Sequence, residues 1–117
     1  MKAIVCALSM LFAAGTAVAE PAGEIGYPQG SLGYDALVNA NYSAAEKQIL
    51  ANSQISRDDP ARLINLGQIY AQTGRKDEAI RVLNEVLAAE DVELILANGE
   101  AIGSRSAARK ALSLLTK

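Results

Sequence analysis

The chain lacks most of the side chains that usually carry enzyme chemistry. It has no histidine, and its single cysteine, Cys6, lies near the N-terminus among apolar residues. Without histidine, the serines have no imidazole base to activate a hydroxyl nucleophile, and a zinc site would lack its usual nitrogen ligand. The sequence therefore predicts a protein that is not an enzyme, with no catalytic residue, no cofactor and no metal site.

Aromatic side chains and excess positive charge are also scarce. The chain has no tryptophan, Phe12 is its only phenylalanine, and 11 basic residues stand against 13 acidic ones. Single-stranded nucleic acid is usually bound by aromatic stacking within a basic groove, and duplexes need a basic surface. The composition therefore excludes a nucleic-acid partner and favours helices packed through leucine, alanine and isoleucine.

Residues 1–19 have the pattern of a secretory signal peptide. Lys2 precedes an apolar core from Ala3 to Ala14, and Ala17-Val18-Ala19 forms a small-residue cleavage site. A membrane-spanning helix needs about 20 apolar residues, so this core is too short. We expect cleavage after Ala19, export to the periplasm, and a mature chain that has lost Cys6 and so forms no disulfide.

The predicted mature chain consists of a flexible tether, residues 20–30, and one helical domain, residues 31–117. The tether contains two prolines and three glycines, a composition typical of loops. Within the domain, Ser31 is expected to cap a short helix over 32–39. Ser43 and Glu46 have the spacing of a capping box for a second helix ending near 52.

Two longer helices are predicted over 60–72 and 76–89. Asp59-Pro60 is a helix start signal, because the carboxylate can cap the helix and proline needs no hydrogen-bond acceptor in the first turn. Gly74 ends the first helix, since glycine readily adopts a left-handed conformation. Asp77 is placed to pair with Arg81 one turn later in the second helix.

This helical pair carries a spaced set of small and apolar residues. They are Leu63, Leu66, Gly67, Tyr70, Ala79 and Leu83. The set resembles the tetratricopeptide repeat (TPR), a helix-turn-helix unit of about 34 residues. Shifting back by one period places Gly67 on Gly33 and Ala79 on Ala45, so a degenerate repeat precedes the clear one. The implied fold class is mainly α, with TPR-like helical hairpins in an α-α superhelix.

The resemblance also implies a function and a binding surface. TPR proteins are non-catalytic scaffolds or adaptors that bind another protein or a peptide on the concave face formed by the first helix of each repeat. By position, that face would contain Tyr34, Leu37, Val38, Ala61, Ile64, Gln68 and Gln72. These residues are apolar or amide, so the acidic-C-terminus clamp of some TPR proteins is not expected.

After the repeat, the sequence predicts a short β-hairpin and a final helix. Asn98-Gly99 between two short apolar runs is a hairpin turn signal, because both residues tolerate the positive φ of a two-residue type I′ turn. Ser104 is expected to cap a helix from Arg105 to about Thr116, which would cover the open apolar end of the repeats. The hairpin and this helix together form a predicted C-terminal cap.

Two alternative functions remain open at this stage. Because repeat stacks usually need about three units, the two units here could instead self-associate in a structural or stress-related envelope protein. The last segment also carries Arg105, Arg109, Lys110 and Lys117, and such a helix could bind an anionic membrane surface. The absence of aromatic anchors favours a packed helix over membrane association.

Overall fold

The computed structural model describes residues 19–116, which form five helices and one two-stranded antiparallel sheet. The helices are α1 (Tyr34–Val38), α2 (Tyr42–Ala51), α3 (Pro60–Gln72), α4 (Lys76–Ala88) and α5 (Ser104–Leu115); the strands are β1 (Glu93–Ile95) and β2 (Ala101–Gly103). The mainly helical class and the short hairpin are as predicted. The predicted signal peptide lies almost wholly outside the described residues.

Helix α3 begins and ends where the sequence predicts. The Asp59 carboxylate accepts hydrogen bonds from the amides of Ala61 and Arg62 at 2.9 and 3.1 Å, and Pro60 occupies the first turn. At the other end, Gly74 has a φ of 80°, which favours glycine. These local signals set the two ends of the helix.

Helix α3 is also the centre of the domain. Every residue from 61 to 70 is buried, because α2, α4, α5 and the N-terminal segment all pack around this helix. Buried polar side chains need hydrogen-bond partners within the protein, as Asn65 and Gln68 of this helix have. Its polar residues therefore determine which backbone segments can lie against it.

The contact between α3 and α4 depends on a glycine. A Cβ atom built on Gly67 would lie 2.8 Å from Cγ of Leu83, closer than packed carbon atoms allow. Ala79, one turn earlier in α4, is fully buried. Small side chains at these two positions let the helices approach closely.

The first two helices are capped by residues other than the predicted serines. The Glu24 carboxylate accepts hydrogen bonds from the amides of Leu32 and Tyr34 at 3.0 and 3.1 Å, and α1 is shorter than the predicted 32–39. Asn41, not Ser43, caps α2 by accepting from the amide of Ala44. Asn41 lies two residues before the predicted cap Ser43, and Glu24 lies seven residues before Ser31, so the local spacing does not identify either of them.

The acidic side chains also have partners other than the predicted ones. Glu46 bonds the Arg75 guanidinium, with one oxygen 2.9 Å from Nη1, and so links α2 to the turn between α3 and α4. This contact lowers the pKa of Glu46, chiefly through the hydrogen bond to Arg75. Arg81 pairs with Glu85 rather than with Asp77.

The hairpin turns at Asn98-Gly99, but the turn is not the predicted two-residue type. Gly99 has a φ of 92°, while Asn98 does not have a positive φ. The amide of Gly99 bonds the Leu96 carbonyl at 2.9 Å, and the amide of Leu96 bonds the Glu100 carbonyl at 2.8 Å. A three-residue loop with a left-handed glycine in its last position fits this pattern.

Helix α5 starts at Ser104, the residue predicted to cap it, and so one residue before the predicted start at Arg105. The Asp91 carboxylate accepts a hydrogen bond from the amide of Arg105 at 3.0 Å, and this bond lowers the pKa of Asp91. Ser104 instead accepts a hydrogen bond from the amide of Val92. The apolar side of α5, with Ala108 fully buried, packs on α4 and α3 as the predicted cap requires.

Within residues 20–30, which their composition predicts to be a flexible tether, residues 21–24 and Tyr27 pack on the domain, whereas Ile25, Gly26, Pro28 and Gln29 are exposed. Ala22 is buried and forms an isolated antiparallel bridge with Leu96. The amide of Gly23 bonds the Ile95 carbonyl at 2.7 Å, and the Pro21 carbonyl accepts from the amide of Ala97 at 2.8 Å. These bonds place the segment along the outer edge of β1, which would otherwise be an open strand edge.

Candidate functional site

The predicted concave face is largely buried. Ala61 and Ile64 are 0% and 1% exposed, and Leu37 and Gln68 are also buried. Tyr34 and Gln72 are half-buried, whereas Val38 is 50% exposed. The seven residues therefore do not form one continuous accessible surface.

The N-terminal segment covers the middle of this face. Asn65 Oδ1 accepts a hydrogen bond from the Ala22 amide at 2.8 Å, and Asn65 Nδ2 donates to the carbonyls of Ala22 and Leu32 at 3.2 and 2.9 Å. Gln68 Nε2 donates to the Glu20 carbonyl at 2.9 Å. The segment thus lies across α3 and is held there by two buried amide side chains.

One open groove remains on one side of this segment. It has a volume of about 200 Å³ and lies between α3, α4 and α5. We call it the Gln72 groove. Its lining residues are Ala19, Gly67, Gln68, Ala71, Gln72, Leu83, Ala111, Leu114 and Leu115. The lining is mostly small and aliphatic, with two amide groups that can bond a polypeptide backbone.

A second groove lies on the other side of the segment. It has a volume of about 350 Å³, and we call it the Val38 groove. Its lining residues are Ala19, Glu20, Pro21, Leu37, Val38, Ala40, Tyr42 and Gln68. Ala19 and Gln68 border both grooves, so residues 19–22 divide what the sequence predicts to be a single surface.

Tyr27 holds the N-terminal segment against the start of α3. Its hydroxyl bonds both carboxylate oxygens of Asp59 at 3.2 Å, and Asp59 is the residue that caps α3. Burial and the neighbouring negative charge raise the pKa of Tyr27 to about 12. Tyr27 therefore connects the N-terminal segment to the start of the central helix.

The basic residues of α5 do not form one free cationic face. The Arg105 guanidinium donates to the Ala89 carbonyl at 2.9 and 2.7 Å, at the C-terminal end of α4. A cation at this position is favoured by the helix dipole. Arg109 and Lys110 are exposed, and Lys117 lies outside the described residues.

Two further properties of residues 19–116 bear on other classes of site. No group of three or more acidic, histidine or cysteine side chains is close enough there to hold a metal ion. In the same part of the chain, no helix is long and apolar enough to cross a membrane.

Comparison of the chain with protein-family models, with curated proteins and with solved structures gave no match.

Sequence reasoning missed the residues that shape this region. Asn65 interrupts the apolar run Leu63-Ile64 and Leu66, and an amide at such a position is a signal of a buried polar contact. Glu24 and Tyr27 carry no comparable signal, because their partners are distant in sequence. Their roles depend on the tertiary structure.

Proposed function

We propose that this chain is an exported, non-catalytic protein–protein interaction module related in design to TPR proteins, which binds a segment of another protein in the Gln72 and Val38 grooves. The main support for the proposal is that Val38, one of the predicted binding residues, is exposed beside an open groove. A half-exposed valine at the edge of a concave site is a typical contact for a partner's apolar side chain.

The packing of the repeat-like residues supports the same proposal. Leu63, Leu66, Tyr70, Ala79 and Leu83 are all buried, and Gly67 contacts Leu83. A rigid helical pair of this kind can present neighbouring side chains at fixed spacing. The half-buried Gln72 amide then provides a hydrogen bond at the groove, which suits a helical or extended peptide segment.

Site-specific photocrosslinking in the native envelope tests the proposal. A photoreactive amino acid is placed at Val38 or Gln72, with Asn84, an exposed residue of α4 that borders neither groove, as the matched control. We expect discrete adducts from the two groove positions and none from the control. Equal labelling from all three positions, or none, would contradict a specific site.

The mass of the adducts separates this function from self-association. An adduct of twice the mass of the mature chain would identify a second copy as the partner, and size measurement at micromolar concentration would then show a dimer. An adduct of any other protein mass supports a foreign partner. Adducts only to lipid would favour the membrane-surface alternative.

A further inference from the structure

The turn of the hairpin carries a chemically labile dipeptide. Asn98 is one of six asparagines in the chain and the only one that is followed by glycine. The side chain of an asparagine can be attacked at Cγ by the backbone nitrogen of the next residue. Glycine has no Cβ, so its nitrogen approaches Cγ with less steric hindrance than that of any other residue. Asn98 is therefore the asparagine of this chain that is most susceptible to such an attack.

The structure leaves the dipeptide open to solvent. Asn98, Gly99 and Glu100 are all exposed, and a Cβ atom built on Gly99 would meet nothing beyond its chain neighbours within 4 Å. The amide of Gly99 donates to the Leu96 carbonyl at 2.9 Å, and Asn98 Oδ1 accepts from the amide of Glu100 at 3.0 Å. Both hydrogen bonds must open before the attack. Bonds in an exposed turn open readily, because few packed contacts are lost with them.

The reaction needs only water as a second reactant. The backbone nitrogen of Gly99 forms a bond to Cγ of Asn98, and the Cγ–Nδ2 bond breaks. The amide group leaves as ammonia and carries away the proton of the Gly99 nitrogen. Water then opens the resulting succinimide ring at either of its two carbonyl carbons. The products are aspartate and isoaspartate, and in isoaspartate the main chain runs through the former side chain.

Either product changes the contacts of the hairpin. Asn98 Nδ2 donates to Oε1 of Glu100 at 3.0 Å. An ionised carboxylate has no hydrogen to donate, so the reaction replaces this hydrogen bond by repulsion between two negative charges. The preceding residue, Ala97, donates its amide to the Pro21 carbonyl at 2.8 Å. The modified residue therefore lies next to a bond that holds the N-terminal segment.

We infer that Asn98 is a site of spontaneous deamidation, and that the modified hairpin holds Pro21 and the rest of the N-terminal segment less firmly. Because ammonia is lost, the modified fraction increases with the age of the protein molecule. This modification does not rest on the proposed use of the Gln72 and Val38 grooves.

Mass spectrometry of the mature protein, incubated at neutral and at mildly alkaline pH, tests the site. Trypsin cuts after Arg81 and Arg105, so one peptide contains both Asn98 and Asn84, and its fragment masses distinguish the two. We expect deamidation at Asn98, with a rate that rises with pH because the attacking nitrogen must lose its proton. No reaction at Asn98 would overturn the inference.

Two other asparagines are internal controls. Asn52 is the closer match, because its side chain makes the same two kinds of contact, to the amide and the side chain of Gln54, but serine follows it. Asn84 is an exposed residue of α4. Asn98 should deamidate at least fivefold faster than either of them. Equal rates at the three positions would show that the Asn98-Gly99 turn has no special reactivity.

Enzymatic methylation of isoaspartate gives a second measurement of the same reaction. An isoaspartate methyltransferase should label the incubated protein and not the fresh one. Asn98→Gln keeps the amide group but moves it one methylene further from the attacking nitrogen, so this variant should lose most of the labelling. Labelling of Asn98→Gln equal to that of the parent would place the reaction at another residue and refute the assignment.

Hydrogen exchange tests the structural consequence. Asn98→Asp is the aspartate product itself, and its Ala97 amide should exchange at least threefold faster than in the parent. Asn52→Asp adds the same charge in the other exposed loop and should leave the Ala97 amide unchanged. The incubated parent protein should show the same faster exchange in its modified fraction. Unchanged exchange of Ala97 in Asn98→Asp would show that the N-terminal segment is held equally firmly, which would refute that part of the inference.

Discussion

The side chain of Asn65 pairs with the backbone of Ala22 as a neighbouring strand would, accepting from its amide and donating to its carbonyl at 2.8 and 3.2 Å. Both residues are buried, with exposures of 0% and 1%. A side chain of α3 thus satisfies the backbone N–H and C=O groups of Ala22, while the neighbouring residues of the same segment bond β1 and the residues after it. The N-terminal segment is held from two sides, and the predicted binding face is divided as a result.

Replacing Asn65 should therefore destabilise the whole domain. Asn65→Ala leaves the Ala22 amide, the Ala22 carbonyl and the Leu32 carbonyl without their partner. We expect a loss of about 2 to 4 kcal/mol in the free energy of unfolding, measured with denaturant. Asn84→Ala, at an exposed position, is the control and should change stability by less than about 0.5 kcal/mol. Equal effects of the two changes would show that the Ala22 contact contributes nothing.

The close approach of α3 and α4 gives a second prediction. Gly67→Leu and Ala79→Leu each add methylene groups where no space exists, so each should destabilise the domain by about 1 to 3 kcal/mol. Thermal melts measure the effect. Ala88→Leu, at the exposed end of α4, should leave the melting temperature nearly unchanged. Unchanged melting of the first two variants would contradict the packing described here.

Tyr27 gives a prediction for alkaline pH. Its pKa rises from 10.0 to about 12 in the folded protein, mainly through burial and then through the Asp59 charge. The folded state thus holds the phenolic proton more tightly, and the stability linked to it is complete below pH 10 and lost as the pH rises through about 12. Absorbance at the tyrosinate wavelength should show one tyrosine ionising near pH 12. Tyr27→Phe should remove that step; if the step remains, another tyrosine causes it.

Removing the hairpin and α5 should expose the apolar side of α4. Truncation after Asp91 also deletes Leu96, the partner of Ala22, and Ala108, which is fully buried. We expect strong binding of an apolar dye and loss of cooperative melting in the truncated protein. A monomer that melts as cooperatively as the full chain would show that this segment is a separate appendage.

Export and processing can be tested by intact mass. If the Ala17-Val18-Ala19 site is used, the exported protein begins at Glu20. The Glu20 carbonyl, which accepts from Gln68, would then belong to the first residue of the mature chain. A mass that includes residues 1–19 would indicate an uncleaved anchor and contradict the predicted processing.

The elements that the sequence predicted well are those whose signals are local. Helix α3 begins after Asp59 and ends before Gly74, as predicted. Capping and left-handed conformations depend on adjacent backbone groups, so these signals can be recognised from the sequence. The turn at Asn98-Gly99 was also placed correctly. The predicted length of the hairpin loop was wrong, because the register of the strands also depends on the backbone hydrogen bonds that residues 21–23 make to β1 and to the residues that follow it.

The features that the sequence did not predict are long-range. A proline- and glycine-rich segment has the same composition whether it is free or bonded to a strand edge, so residues 20–30 gave no sign of their packing. The burial of Arg62 was equally hidden, because it follows from the arrangement of α2, α4 and the 56–58 loop. Composition identifies the residues that can be buried. Which of them are buried is decided by the segments that pack against them in the folded domain.

The bridge between Ala22 and Leu96 joins positions 74 residues apart. Contacts of such high sequence separation form late, since the entropy of closing the long loop must be overcome first. During synthesis, Leu96 is added 74 residues after Ala22, so Ala22 has no strand partner while the residues of α3 and α4 are being added. The N-terminal segment can take its place beside β1 only when nearly the whole domain has been made.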